Sequence, residues 1–390
     1  MENMSTGVPG IMDQMDTAMA AEGVNYTTDD VDIRIGVVTS DLGAGDRGFE
    51  GCGLDGDEGR VLAIDPVELE LNGYPGCGTE AVPYIHVRGH EVVNMPGVTD
   101  VNTAVECLMM SQMFRPTSCR IRQPLKALSR AITQRESDNS HFFRDDAGLS
   151  VVFISAEDDC SADDLSVYDE TVFGAYHCVE QGLDCEDDGD PNTLTRCKDR
   201  PAEAGGALFQ TDYLVAQIEN WKAMDRVVVS LMAGPFNQNV PARVVENLSG
   251  QPDLAPNCAT PDEAIQALPG IRLTNFKNRF KANSVFHEIC DPGVDSLFGN
   301  MSAKLAAQLA YRCMPKRPVD SDGNPDNGIQ AQCQVWDVLL PGDENEIRTE
   351  LPRCEDVPFN QTCWEMMPEP GCQSDVKLVV HRPVEAEPGT

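Results

Sequence analysis

Apolar residues fall into two periods along the chain. Residues 32–39 read DIRIGVVT, with Ile33, Ile35 and Val37 on one face and Val38 on the other, the pattern of a strand buried on both faces. Leu149–Ser155 (LSVVFIS) and residues 226–233 (RVVVSLMA) are continuous apolar runs of strand length. Shorter strands are predicted at 84–87 and 284–289. Between them the period lengthens to three or four. Ile11, Met15 and Met19 predict a helix over 10–21. Asp100 is placed to cap a helix carrying Val101, Ala104, Val105, Leu108 and Met109, and Pro124 starts another with Leu125, Leu128 and Ile132 inward. Residues 211–224 carry Leu214, Ile218 and Trp221 on one stripe, and 291–313 carry Leu297, Phe298, Met301, Leu305 and Leu309. Alternating strands and helices predict an α/β fold: a three-layer, Rossmann-like, mostly parallel sheet with helices on both faces. Residues 42–83 read as a hairpin excursion, 156–205 as acidic Cys-rich loops, and 235–283 show little period.

The texture changes past Pro315. A turn-rich stretch, VDSDGNPDNG, leads to short strand-like runs (QVWDVLL, VKLVVHR) among Cys333, Cys354, Cys363 and Cys372. Two units are expected: an α/β domain over 1–314 and a small Cys-rich β module over 315–390.

The 390 residues carry 29 basic and 64 acidic groups, a net charge of −35. Such a chain is repelled by a duplex or an anionic bilayer, so nucleic-acid and membrane-surface roles are set aside. No apolar run approaches the roughly 20 residues of a membrane span. The 15 cysteines contain no Cys-x2-Cys pair, and their scatter among turns predicts disulfides and an oxidising compartment. Sequence neighbours suggest Cys52–Cys77, Cys107–Cys119, Cys160–Cys178, Cys185–Cys197 and Cys258–Cys290, with one of the five cysteines from Cys313 onward left over. Met1-Glu-Asn-Met has neither a basic nor an apolar signal region, so a signal or lipid anchor is expected upstream of Met1.

The order of a helix, DIRIGVVTSDLGAG, a Cys-turn-Cys segment, VVFISAEDDCS and DRVVVSLMAGP resembles the von Willebrand factor A-like domains of secreted or lipid-anchored bacterial surface proteins, over roughly residues 1–313. The resemblance implies a divalent cation, Mg²⁺ or Ca²⁺, at the carboxyl ends of the strands, because hard cations take about six oxygens. The family's metal motif is altered here. Asp-x-Ser-x-Ser is absent, which implies that the first strand lies upstream of Met1. Thr117 or Ser118 matches the family's threonine, and Ser155-Ala156 stands where Thr-Asp is usual. Ala156 cannot ligate, and Glu157, Asp158 or Asp159 is the substitute for that aspartate, so the resemblance implies a degenerate set of Thr117, Ser155, Asp158 and Asp159.

From Asp145 to Asp190 there are 15 acidic residues and no Lys or Arg, while 107–135 holds six basic residues and no acid. Mutual neutralisation is the simplest reading. Loops around Glu186–Asp190 and Asp320–Asp326 also have spaced oxygens of the calcium-binding kind, the second without a position-12 glutamate. His86 and His90 are the one close histidine pair, and strand spacing puts them about 13 Å apart, unsuited to zinc. Nucleophile elbows, phosphate loops and zinc-protease motifs are absent. These residues point to an extracellular, periplasmic or outer-surface protein that binds a macromolecular partner. A secreted carboxylate- or metal-dependent hydrolase using Asp41, Asp158 and Asp159, or a calcium-stabilised envelope protein, are the alternatives.

Overall fold

The computed structural model describes residue 17 and residues 32–47, 49, 51–113, 119–145, 147–168, 174–186, 189–291, 295–310, 312–313, 318–319, 333–339, 347–358, 361–368 and 376–381. The helix expected over 10–21 lies outside these except for Thr17, and the 320–326 loop lies wholly outside them.

In chain order, strand β1 (Asp32–Ile35) is followed by helix α1 (Pro66–Leu71), β2 (Ile85–Arg88), β3 (Glu91–Val92), α2 (Val101–Met113), α3 (Pro124–Thr133) and β4 (Leu149–Ser155). Next come α4 (Ala175–Gly182), β5 (Leu183–Glu186), β6 (Thr193–Asp199), α5 (Thr211–Trp221), β7 (Val227–Ala233), β8 (Ala242–Glu246), β9 (Pro252–Leu254), β10 (Cys258–Ala259) and β11 (Gln266–Ala267). Then follow α6 (Ile271–Asn278), β12 (Ser284–Glu288), α7 (Asp295–Ala310) and β13 (Arg312–Cys313). The last strands are β14 (Val335–Leu339), β15 (Ile347–Leu351), β16 (Cys363–Pro368) and β17 (Val376–His381).

The centre is a parallel sheet in the order β12-β7-β4. Every residue of β7, VVVSLMA, is buried, as expected of a strand covered on both faces. Leu149 pairs with Val227 and Ser284 with Val229, and both ladders are parallel. One face packs Val228, Met232, Val152 and Val285 against α2 and α7 through Val101, Ala104, Leu108, Leu297 and Met301. The other packs Val227, Val229, Leu231 and Phe153 against α3, α5 and α6 through Leu125, Ile132, Leu214, Ile218 and Phe276. Asp100 acts as foreseen: its Oδ2 accepts the Thr103 N–H at 2.8 Å at the start of α2.

The segment 32–39 departs from expectation. Only Asp32–Ile35 is strand, and it pairs antiparallel with β2, Ile33 opposite Val87. The third member of the parallel sheet is instead β12. β1 ends where residues 61–62 come alongside it. A Cβ on Gly36 would lie 2.7 Å from Val61 Cγ1, and Val37 O accepts the Leu62 N–H at 2.9 Å, so the 61–62 segment takes over from a sheet partner.

Two stretches read as loops contain regular structure. The acidic region holds α4 and part of a four-stranded sheet, β5-β6-β8-β9, while α6 lies within 235–283. These strands are short and mix Asp, Thr, Arg and Cys, which blurs the period-2 signal. In the tail, β14 and β17 lie on the two runs expected as strands, and they pair with β15 and β16, which the sequence pattern does not mark. Arg312–Cys313, ahead of residue 315, pairs with β17.

Six disulfides join described cysteines. Cys160–Cys178, Cys185–Cys197 and Cys258–Cys290 match the neighbour rule, and Cys354–Cys363 staples the tail. The first four cysteines cross instead, as Cys52–Cys119 and Cys77–Cys107. The excursion is not a hairpin closed on itself: Cys77 and Cys107 lie in the core that holds α1 and α2, and Cys119 lies in a separate cluster packed by Cys52. Cys333 carries a free thiol. This density of disulfides marks an oxidising, extracytoplasmic setting. No described helix is long and apolar enough to cross a membrane.

Candidate functional site

The loops that follow β1, precede α3 and follow β4 meet at the carboxyl end of the parallel sheet. Gln123 ties the first two: its N–H donates to Ser40 O at 3.1 Å and its side-chain amide to Gly43 O at 3.0 Å. The Cys160 N–H donates to Arg122 O at 2.7 Å, joining the third. The Cys52–Cys119 bond crosses the same edge. Within the first loop Asp41 Oδ1 accepts the Gly43 N–H at 2.8 Å. Gly56 must be glycine there: its φ is +56° and a Cβ would lie 2.5 Å from Asp41 O.

Two acidic residues anchor the edge from beneath. Asp158 receives the Arg272 and Leu273 N–H groups at 2.9 and 3.2 Å, so its carboxyl sits on the first turn of α6. Burial pushes the Asp158 pKa up to about 7, aided by neighbouring Asp159, while the backbone hydrogen bonds, the Arg272 N–H foremost, pull it back. Asp159 is wholly buried. Its Oδ1 accepts from the Leu125 N–H at 3.0 Å and the Ser161 hydroxyl at 2.5 Å. Its Oδ2 accepts from the Ser161 N–H at 3.1 Å and Arg272 Nε at 3.0 Å. Arg272 Nη2 reaches Phe209 O at 2.6 Å, and Nη1 is buried without a hydrogen-bond partner. Ser161 Oγ in turn accepts the Lys126 N–H at 3.0 Å, so Asp159 and Ser161 together satisfy the start of α3. Tyr168 closes the cluster, its hydroxyl donating to Cys160 O at 2.6 Å; burial, then the charge of Asp159, pushes its pKa up.

Of the four residues expected to hold a metal, Asp158 and Asp159 are neighbours in this network. Ser155 stands apart from it, its hydroxyl donating to Glu157 O at 2.6 Å. Thr117 and Ser118 lie outside the described residues. Among the described members of that set Asp159 does not fit a hard dication: both its oxygens accept from N–H and O–H donors, one of them the Arg272 guanidinium. The cluster of Cys258, Glu288 and Cys290 makes no thiolate site either, because the two sulfurs are bonded to each other.

The basic stretch meets the acidic loop as expected. Arg122 Nε lies 3.3 Å from Glu157 and Lys126 Nζ 3.0 Å from Asp163. Glu186 pairs with Arg196 at 2.6 Å, and Asp190 accepts the Asn192 N–H of its own turn at 3.0 Å. His86 lies on β2, as the strand reading required, with Nε2 2.9 Å from Asp32 Oδ2. Arg272, Gln123 and Ser161 were not singled out in the sequence. The one available signal was an arginine set in the apolar run LPGIRLTNF. Comparison with known proteins finds no matching family model, curated protein or solved structure.

Proposed function

We propose that this protein is an exported, surface-attached or secreted binding module, von Willebrand A-like and Rossmann-like in arrangement, that engages a macromolecular partner through the loop edge at the carboxyl ends of its parallel strands. Partner binding at that edge needs no divalent cation. One observation carries the reading: Arg272 is salt-bridged to Asp159 with both side chains buried, beneath loops stapled by Cys52–Cys119 and Cys160–Cys178. The arginine supplies internally the positive charge that a metal would bring, and the staples hold the loops in one shape before contact. A pre-ordered surface loses less entropy on binding. Loop acids and bases beside this edge, among them Arg47, Glu157 and Asp163, supply its polar contacts.

The test is adhesion of the full chain, immobilised on beads, to extracellular-matrix glycoproteins and bacterial envelope fractions, with and without EDTA. The expected result is saturable binding that is unchanged by chelator and at least tenfold weaker in the loop variants Asp46→Lys/Arg47→Glu and Asp163→Lys/Asp164→Lys. Binding abolished by EDTA and restored by Mg²⁺ overturns the metal-free reading. Binding that ignores the loop variants overturns the placement of the contact surface.

A further inference from the structure

Five Asn-x-Ser/Thr triplets stand in the chain, at Asn3, Asn25, Asn247, Asn300 and Asn360. In an exported protein this triplet, set in a surface loop, is the acceptor pattern for a carbohydrate on the asparagine side-chain nitrogen. Asn247 and Asn300 lie among the described residues, and the fold treats them in opposite ways. Asn300 sits inside α7, and the hydroxyl of its triplet, on Ser302, is fully buried and sealed from solvent. Once α7 has packed, no enzyme reaches that hydroxyl.

Asn247 stands at the tip of the β8–β9 hairpin. Glu246 opposite Pro252 is the last pair of the ladder, and residues 247–251 make the turn. The turn closes on itself: the Asn247 N–H donates to Gln251 O at 2.8 Å and the Gly250 N–H to Asn247 O at 2.9 Å. The Asn247 side chain contributes its oxygen, which accepts the Ser249 and Gln251 N–H groups at 2.9 and 3.0 Å. Two N–H donors on one atom identify it as the oxygen of the amide. Among the described residues Nδ2 has no hydrogen-bond partner, and because the two amide atoms branch apart from one carbon it points away from the turn. The ground around it is open. Leu248 is fully exposed, Ser249 and Gly250 are exposed, and a Cβ on Gly250 would meet nothing within 4 Å.

We propose that Asn247 is an N-glycosylation site of the exported protein. The donor class is an oligosaccharide carried on a polyprenyl diphosphate, and a membrane transferase of the exporting cell brings donor and acceptor together. The bond formed joins Nδ2 to the anomeric carbon of the sugar. The bond broken joins that carbon to the diphosphate oxygen, which leaves with the electron pair. The proton displaced from Nδ2 passes to a carboxylate base of the transferase. Ser249, two residues on, supplies the hydroxyl by which the acceptor is recognised. Disulfides mark the extracytoplasmic compartments in which such transfer takes place, and this chain has six among its described residues. The hairpin tip has room for the product before and after folding, so a bulky, hydrated group there covers Leu248 without displacing a packed side chain. The inference goes beyond the loop-edge reading and stands on different residues.

The test is glycopeptide mass spectrometry on the full chain recovered from the envelope and medium of the cells that export it. The expected result is an Asn247 peptide made heavier by a glycan of hexose or N-acetylhexosamine units, with fragmentation placing the sugar on Asn247. Ser249→Ala should abolish the modification, and Ser249→Thr should retain it, because threonine keeps the hydroxyl. In both variants the residue 249 N–H still donates to Asn247 Oδ1, so the turn is preserved. Recovery of the Asn247 peptide solely at its unmodified mass overturns the proposal. So does a sugar located on Ser249 itself, or a modification of Asn247 that survives Ser249→Ala. Adhesion at the loop edge is read separately, so either reading can fail alone.

Discussion

Arg272 Nε donates to Asp159 Oδ2 at 3.0 Å, and the two side chains are 1% and 0% exposed. A buried ion pair is a weak source of net stability, but removal of one member strands the other charge in a low-dielectric interior. Asp159→Ala is therefore expected to cost about 3–5 kcal/mol in urea unfolding. Adding Arg272→Met to Asp159→Ala should recover part of that loss. A double-variant cycle with no coupling between the two positions contradicts the pairing.

Stability should depend on the protonation of Asp158. Its pKa rises from 3.8 to about 7 on folding because burial disfavours the charge. A carboxyl that holds its proton longer in the native state stabilises fully below its unfolded pKa, and that contribution is lost as pH rises through about 7. The wild-type chain should thus lose stability relative to Asp158→Asn between pH 4 and 8, by an amount on the order of a few kcal/mol. Asp32 has the opposite sign: burial raises its pKa, but the His86 hydrogen bond and the Arg144 charge outweigh it and hold the carboxyl below its ordinary value. Its share is present above the ordinary carboxylate range and is lost on acidification. Urea midpoints of wild type and Asp158→Asn across this pH range separate the two groups.

Asn139 pins the excursion to the core. Its fully buried amide donates to Gly59 O at 3.0 Å and Ala131 O at 3.2 Å, and its oxygen accepts the Val61 N–H at 2.8 Å. Asn139→Ala leaves three backbone groups unpaired, at about 1–3 kcal/mol each before relaxation. Limited proteolysis should then cut near residues 53–61 well before the wild type is nicked. Cleavage at an unchanged rate contradicts this anchoring.

The crossed disulfides are open to direct mapping. Non-reducing peptide mass spectrometry should recover Cys52 with Cys119 and Cys77 with Cys107. The Cys52–Cys119 bond spans 67 residues, and in the chain-entropy account removal of such a loop closure costs about 4 kcal/mol. Cys52→Ala/Cys119→Ala should lower the thermal midpoint and loosen the loop edge in hydrogen exchange.

Periodicity carried the core faithfully. Leu149–Ser155 and Val227–Ala233 are strands because a continuous apolar run of that length has few other homes, and Asp100 and Pro124 mark the starts of helices whose apolar stripes follow them. Oxidation state was legible as well, since 15 scattered cysteines in turns have one common use. Pairing was another matter. That Ile33 meets Val87 rather than a parallel neighbour, that Cys52 meets Cys119 rather than Cys77, and that Arg272 meets Asp159 113 residues away depend on where separate segments settle when one core closes. Local pattern is set by a residue and its near neighbours. Partnership is set by burial over the whole chain, so DIRI is a strand by its own composition, but only the packed fold decides that it pairs antiparallel with β2.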